Sequence, residues 1–104
     1  MTYYMFLDDE RDPPEDGREW IVVRSSSDAI EMVQLNGFPE FISFDHDLGG
    51  DDTAMLFVRF LMDKLAVNEM ERPFTYYVHS QNPIGRDNII GALDGYDRFS
   101  KQNY

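Results

Sequence analysis

Residues 41–47 read FISFDHD, a run of four residues that is apolar except for Ser43 and is followed at once by two aspartates and a histidine. A short, continuous apolar run is typical of a strand buried on both faces, and such strands belong to parallel sheets covered by helices. The same order recurs at residues 3–9 (YYMFLDD) and 74–79 (FTYYVH). The pattern therefore indicates buried strands that each end in polar, chemically reactive side chains.

A further strand is predicted at residues 20–24 (WIVVR), which are rich in β-branched side chains. Helical periodicity predicts three helices, over residues 27–35, 53–67 and 83–93. Their expected N-caps are Ser26 or Ser27, Thr53, and Asn82 followed by Pro83, and Gly37 is the expected stop of the first helix. The residues after Gly95 are polar and carry no predicted element.

The order of these elements predicts an α/β fold: a mostly parallel sheet of about four strands with helices on its faces, in three layers. Residues 11–17 contain Pro13, Pro14 and Gly17, so the first two strands are expected to be joined by a loop. One domain covering residues 1–104 is expected at this length. In open sheets of this kind, ligands bind beyond the carboxyl ends of the strands.

The composition excludes several classes of protein. Nine basic against 20 acidic residues give a net charge of −11, which argues against a long nucleic-acid backbone or an anionic membrane as partner. The absence of cysteine excludes disulfides, thiolate catalysis and cysteine-bound zinc. No signal-peptide pattern or membrane-spanning apolar run is visible, so a cytoplasmic location is expected. The oligomeric state is left open.

Half of the acidic residues lie in two short segments, residues 8–16 and 45–52. Solvated loops explain many of them, but four aspartates come at or near the ends of predicted strands: Asp8, Asp9, Asp45 and Asp47. Carboxylates held close together need a counter-charge, which a divalent cation supplies. These four are the predicted metal ligands. Oxygen ligands favour Mg²⁺ or Mn²⁺, and Zn²⁺ or Ca²⁺ are the alternatives.

Both histidines of the chain lie at the same predicted edge. His46 and His79 have the intrinsic pKa of proton donors and acceptors near neutral pH, and with Asp45 they are the predicted catalytic residues. Arg11, Ser80, Asn82 and Arg86 are the predicted phosphate-binding residues. Each also has a structural interpretation: the arginines as surface charges, Ser80 as a partner of nearby backbone, and Asn82 as a helix cap.

Four blocks of sequence, LDDERDPP (7–14), WIVVRSSSDAIEMV (20–33), ISFDHDLGG (42–50) and VHSQNPIGRDNI (78–89), resemble the cyclic-phosphate-processing receiver domain family. The resemblance covers roughly residues 4–93 and implies a receiver-like, flavodoxin-type fold. It implies a site built from the two acidic blocks and from His79, Ser80 and Asn82. The chain departs from ordinary receivers in two respects: its first helix is degenerate, and no strand precedes its late lysine, Lys101.

These observations favour a metal-dependent phosphoesterase acting on cyclic phosphates, either nucleotides or RNA ends that carry a 2′,3′-cyclic phosphate. A bound metal reverses the sign of the site, so the acidic balance does not exclude a small phosphoester. One alternative is a degenerate receiver that is phosphorylated on Asp45 and signals to a partner. The other is a non-catalytic binder of a phosphorylated ligand or of a partner protein.

Overall fold

Four short strands and three helices make up the computed structural model, which describes residues 2–104. The strands are Tyr4–Leu7 (β1), Trp20–Val23 (β2), Phe41–Phe44 (β3) and Thr75–Val78 (β4). The helices are Ser26–Asn36 (α1), Ala54–Val67 (α2) and Pro83–Asn103 (α3). The strands predicted at residues 3–7, 20–24, 41–44 and 74–78 are all present within one residue of these bounds, and residues 8–19 contain no helix.

The strands form one parallel sheet in the order β2-β1-β3-β4. Leu7 pairs with Val23 on one side and with Phe44 on the other, and Phe44 pairs with Val78. All four strands therefore end level at one edge of the sheet. The parallel sheet and the receiver-like α/β fold predicted from the sequence are confirmed.

All three helices pack against one face of this sheet. The hydrophobic core joins alternate strand residues such as Met5, Leu7 and Ile42 to residues of each helix in a single cluster. The helices also contact one another in the order α1, α2, α3. Successive right-handed crossovers that move in one direction along a sheet leave their helices on the same side. The expected third layer is missing because residues 8–19, which would cover the other face, form a loop.

The opposite face of the sheet is aromatic and carries no helix in the described chain. Tyr4, Phe6 and Phe41 lie on this face with Trp20, whose ring meets theirs edge-on at centroid distances of 5.8–5.9 Å. The Arg18 guanidinium, from the loop before β2, lies over the rings of Tyr4, Trp20 and Phe41. We call this surface the helix-free face.

Two helix ends differ from the sequence prediction. Ser25, rather than Ser26 or Ser27, caps α1, and its hydroxyl accepts from the Asp28 N–H at 3.1 Å. Ser26 is instead buried and donates its N–H and hydroxyl to Asp52. Helix α3 continues ten residues past its predicted end at residue 93, because Tyr96 and Ser100 extend its buried stripe.

The other predicted helix signals are confirmed. Thr53 caps α2, Asn82 caps α3 ahead of Pro83, and Gly37 ends α1 with a positive φ of 81°. No helix within residues 2–104 combines the length and the apolar character needed to cross a bilayer.

Candidate active site

The site is built on the three residues that follow β1, β3 and β4. The ladder of backbone hydrogen bonds continues one residue beyond the strands: the Asp45 N–H donates to Leu7 O at 2.8 Å and the His79 N–H to Phe44 O at 2.9 Å. Asp8 donates its own N–H to Val23 O at 3.1 Å. Asp8, Asp45 and His79 therefore form the next row of the sheet, as their positions directly after apolar runs predicted.

Three carboxylates meet at this edge. One oxygen each from Asp8, Asp9 and Asp45 lies within 4.8 Å of the other two. They open onto a cavity of about 590 Å³, which we call the carboxylate pocket. Its lining comprises Asp8, Asp9, Glu10, Arg11, Asp45, Asp47, Gly49, Ser80, Gln81 and Asn82.

Asp8 is the most constrained of the three carboxylates, because its residue is only 1% exposed. Its Oδ1 accepts from the backbone N–H groups of Glu10 at 3.0 Å and Arg11 at 2.9 Å. Its Oδ2 bonds His79 Nε2 at 2.9 Å. Burial acts to raise the pKa of Asp8, but these hydrogen bonds outweigh it and leave the pKa below its ordinary value.

Asp45 is in the opposite electrostatic situation. Burial and then the charge of Asp8 raise the pKa of Asp45, although its Oδ1 accepts from the His46 N–H at 2.9 Å. Within residues 2–104, no ion pair joins Asp9 or Asp45 to a basic side chain. The pocket thus gathers like charges with little compensation from the protein.

His79 lies beneath the pocket rather than in its wall. Its Nε2 bonds Asp8, its Nδ1 bonds the Ser43 hydroxyl at 2.7 Å, and its ring stacks on Phe6 at a centroid distance of 4.7 Å. Both ring nitrogens are therefore engaged within the protein. In this arrangement, His79 fixes the orientation of the Asp8 carboxylate.

His46 is buried against the first turn of α3. Its Nδ1 lies 2.9 Å from Asp47 Oδ1, and Asn82 Nδ2 donates to the other oxygen of Asp47 at 3.2 Å. Gly85 makes room for the ring, since a Cβ there would lie 2.3 Å from His46 Cγ. His46 and Asn82 together lower the pKa of Asp47 and link the loop after β3 to α3.

The predicted phosphate-binding residues separate into two groups. Arg11, Ser80 and Asn82 line the carboxylate pocket, whereas Arg86 is exposed on α3 and is not part of its lining. Ser80 Oγ accepts from the Asn82 N–H at 3.1 Å, which leaves its own proton for a ligand. Asn82 Oδ1 accepts from the Gly85 N–H at 3.0 Å, so this side chain caps the helix and also holds Asp47.

Several residues of the site were not predicted from the sequence. Glu10, Gly49 and Gln81 line the pocket, and Ser43 supports His79. Arg24 donates to the carbonyls of Asp8 at 3.2 Å and Arg11 at 2.6 Å and so holds the pocket loop against β2. Ser43 had a detectable signal, since it is the single polar residue in an apolar strand. The others depend on the path of loops.

The chain matches the family model of the cyclic-phosphate processing receiver domain over residues 3–95. This match spans most of the 104 residues, and the protein belongs to that family. No curated protein and no solved structure matches the chain.

Proposed function

We propose that this member of the family hydrolyses a cyclic phosphate at the carboxylate pocket with the help of a divalent cation. The observation that carries the proposal is the convergence of Asp8, Asp9 and Asp45 to within 4.8 Å, two of them without a basic partner among residues 2–104. Such a cluster gains electrostatic stabilisation from a cation.

The donor set fits a hard cation, because all three groups are carboxylates. Mg²⁺ and Mn²⁺ prefer oxygen ligands and retain water molecules that a substrate oxygen can replace. When bound, such an ion acts as a Lewis acid on a phosphoryl oxygen. Asp8, Asp9 and Asp45 would hold it, whereas Asp47, the fourth predicted ligand, lines the same pocket but lies outside this group of carboxylates.

The chain's own residues bind and orient the substrate. The free proton of the Ser80 hydroxyl and the Arg11 side chain provide donors for phosphate oxygens at the pocket rim. His79 and Ser43 keep the Asp8 carboxylate in place through the two ring nitrogens. The roles of His46 and His79 as general acid and base stay a prediction, because neither ring lines the pocket.

A test follows from binding thermodynamics. A ligand at 100 times its Kd stabilises the folded state by about 2.7 kcal/mol, so saturating Mn²⁺ should raise the melting temperature measurably. Asp9→Asn should reduce this response, and Asp63→Asn, the same change at an exposed position on α2, should retain it. An equal response of the two variants to Mn²⁺ would place the ion elsewhere.

Activity is then measured on 2′,3′-cyclic nucleotides with Mn²⁺ and with EDTA. We expect hydrolysis only with metal, and loss of it in Asp9→Asn. His46→Ala and His79→Ala test the acid–base prediction. Turnover that survives in both variants would exclude acid–base catalysis by the histidines but would not contradict the metal-assisted step.

The receiver alternative is favoured by one observation: Asp45 and Ser80 line the same pocket beside the Asp8–Asp9 pair. In ordinary receivers, the phospho-accepting aspartate likewise lies beside an acidic pair and a Ser or Thr hydroxyl. Incubation with acetyl phosphate separates the two functions. Labelling that disappears in Asp45→Asn would support phosphotransfer, and an unlabelled protein that hydrolyses cyclic phosphates would support the proposal above.

A further inference from the structure

The helix-free face carries a second cavity, of about 360 Å³. We call it the aromatic groove. Its floor is formed by Phe6, Trp20, Phe41, Tyr77 and His79, and Pro14 of the loop at 8–19 lies along its side. Trp20 and Phe41 are partly exposed and Tyr77 is 58% exposed, so the groove presents aromatic surface to solvent.

The register of the sheet places this groove directly beside the carboxylate pocket. Phe6 pairs with Ser43, and Ser43 with Tyr77, which makes them one row of the helix-free face. Asp8, Asp45 and His79 lie two residues further along the same three strands. Alternate residues point to the same face and lie about 6–7 Å apart. The row of Phe6, Ser43 and Tyr77, which we call the aromatic row, is therefore adjacent to the row of Asp8, Asp45 and His79, which we call the carboxylate row.

His79 joins the two rows. Its ring stacks on Phe6 with an interplanar angle of 7°, while its Nε2 bonds the Asp8 carboxylate at 2.9 Å. It lines the aromatic groove, and its partner Asp8 lines the carboxylate pocket. Because the ring of Phe6 is only 4% exposed and is covered by His79, a ligand with its phosphate beside Asp8 and Asp45 would extend over Tyr77.

We propose that the aromatic groove binds the base of a nucleoside whose phosphate lies in the carboxylate pocket. This assignment rests on the proposed function and narrows its substrate to nucleotides and RNA ends, as opposed to base-free cyclic phosphates. Aromatic rings together with an arginine guanidinium, here Arg18, are the groups on which proteins stack bases.

The polar residues of the groove agree with this ligand. Asp12, Asp16 and Arg18 border it. Asp16 Oδ1 already accepts from Trp20 Nε1 and Asp12 Oδ1 from Arg24, so the Oδ2 atoms are the acceptors for the N–H groups of a base. A lipid chain would leave these charged groups facing apolar surface. A planar ring with hydrogen-bond donors at its edge uses both the rings and the carboxylates.

The groove contains its own probe, since Trp20 is the one tryptophan of the chain. Adenosine and cytidine, added in EDTA, are expected to change Trp20 emission saturably, and ribose 5-phosphate is expected to leave it unchanged. Tyr77→Ala should weaken nucleoside binding by about tenfold, and Tyr77→Phe should restore it because the ring is retained. Tyr104→Ala is the matched control, an exposed tyrosine outside the groove.

The outcomes separate this inference from the proposed function. Nucleoside binding that depends on Tyr77 supports the groove even if no cyclic phosphate is hydrolysed. Two results would overturn the assignment of the groove as a base-binding site. One is Trp20 emission that is insensitive to both nucleosides, and the other is nucleoside binding that is equal in Tyr77→Ala and Tyr104→Ala. Metal-dependent hydrolysis of glycerol 1,2-cyclic phosphate as efficiently as of cyclic nucleotides would also overturn it, with the proposed function intact.

Discussion

At the scale of single residues, Asp45 shows how the site opposes the stability of the fold. Its carboxylate is half-buried next to the ionised Asp8, and both effects raise its pKa. A group whose folded-state pKa is raised favours the folded state below its unfolded pKa, and this contribution is lost as the pH rises through the folded pKa. At neutral pH, the ionised Asp45 therefore destabilises the metal-free protein.

We expect Asp45→Asn to be more stable than the parent protein at pH 7 in EDTA, because the amide removes the charge and keeps an oxygen for the His46 N–H. The gain should shrink as the pH falls and the parent Asp45 becomes protonated. Urea denaturation at a series of pH values measures it. Asp63→Asn, at an exposed site, is the control. A variant less stable than the parent by the same amount at every pH would contradict this account.

The residue scale also shows what a sequence can locate. The positions of the carboxylates were predictable, because they follow apolar runs and because strand ends in a parallel sheet meet at one edge. The orientations of the two imidazole rings were not predictable. His79 faces Phe6 because of the pairing register, and His46 turns towards Gly85 because of the path of the loop after β3. Both depend on contacts between residues distant in sequence.

At the scale of elements, α3 combines a capping function with a packing requirement. Asn82 caps its first turn, and Gly85 in the same turn contacts the ring of His46. Further along the helix, Gly91 is exposed, and a Cβ there would meet no atom within 4 Å. Two glycines of one helix therefore have opposite roles.

Gly85→Ala is expected to destabilise the protein by about 1–3 kcal/mol, because the new methyl group would overlap the His46 ring. Gly91→Ala should instead stabilise it by about 0.5–1 kcal/mol, since alanine is the better helix former and nothing obstructs it. Urea midpoints of the two variants measure the contrast. An unchanged urea midpoint in Gly85→Ala would contradict the predicted overlap, because it would show that the His46 ring moves aside at no cost.

The C-terminal half of α3 shows why element ends were harder to predict than elements. The polar composition of the residues after Gly95 suggested that the helix ends near residue 93. Tertiary contacts override these local signals: Tyr96 donates its hydroxyl to Met70 O at 2.6 Å, and Asp97 accepts from both Arg72 Nε and Arg72 Nη2 at 2.8–3.0 Å. These partners lie about 25 residues away in the chain and were not visible in the local pattern.

At the scale of the whole molecule, the handedness of the crossovers and the missing first helix together create the helix-free face. The two crossovers that carry helices run in the same direction along the sheet, so they cover one face. The connection from β1 to β2 runs the other way and would cover the opposite face, but it is a loop. The parallel orientation of the strands was predictable from the alternation of strands and helices. The number of layers was not, because it depends on the direction in which each connection runs along the sheet.

The net charge of −11 is the other property of the whole molecule. Five ion pairs occur among residues 2–104, and two of them involve histidine. Most acidic residues are therefore not neutralised by a partner, and their mutual repulsion opposes the compact state. Salt screens charges separated by more than the Debye length, about 10 Å at 0.1 M.

The metal-free protein should consequently become more stable as the NaCl concentration is raised from low ionic strength. Its melting temperature should rise by about 4–8 °C for each kcal/mol of stability gained. The double variant Glu15→Lys and Glu31→Lys changes two exposed acids and brings the net charge from −11 to −7, since each substitution removes one negative charge and adds one positive charge. Its melting temperature should respond less to NaCl than that of the parent. If both proteins respond equally, the salt effect does not arise from charge repulsion, and the acidic surface does not limit the stability of this fold.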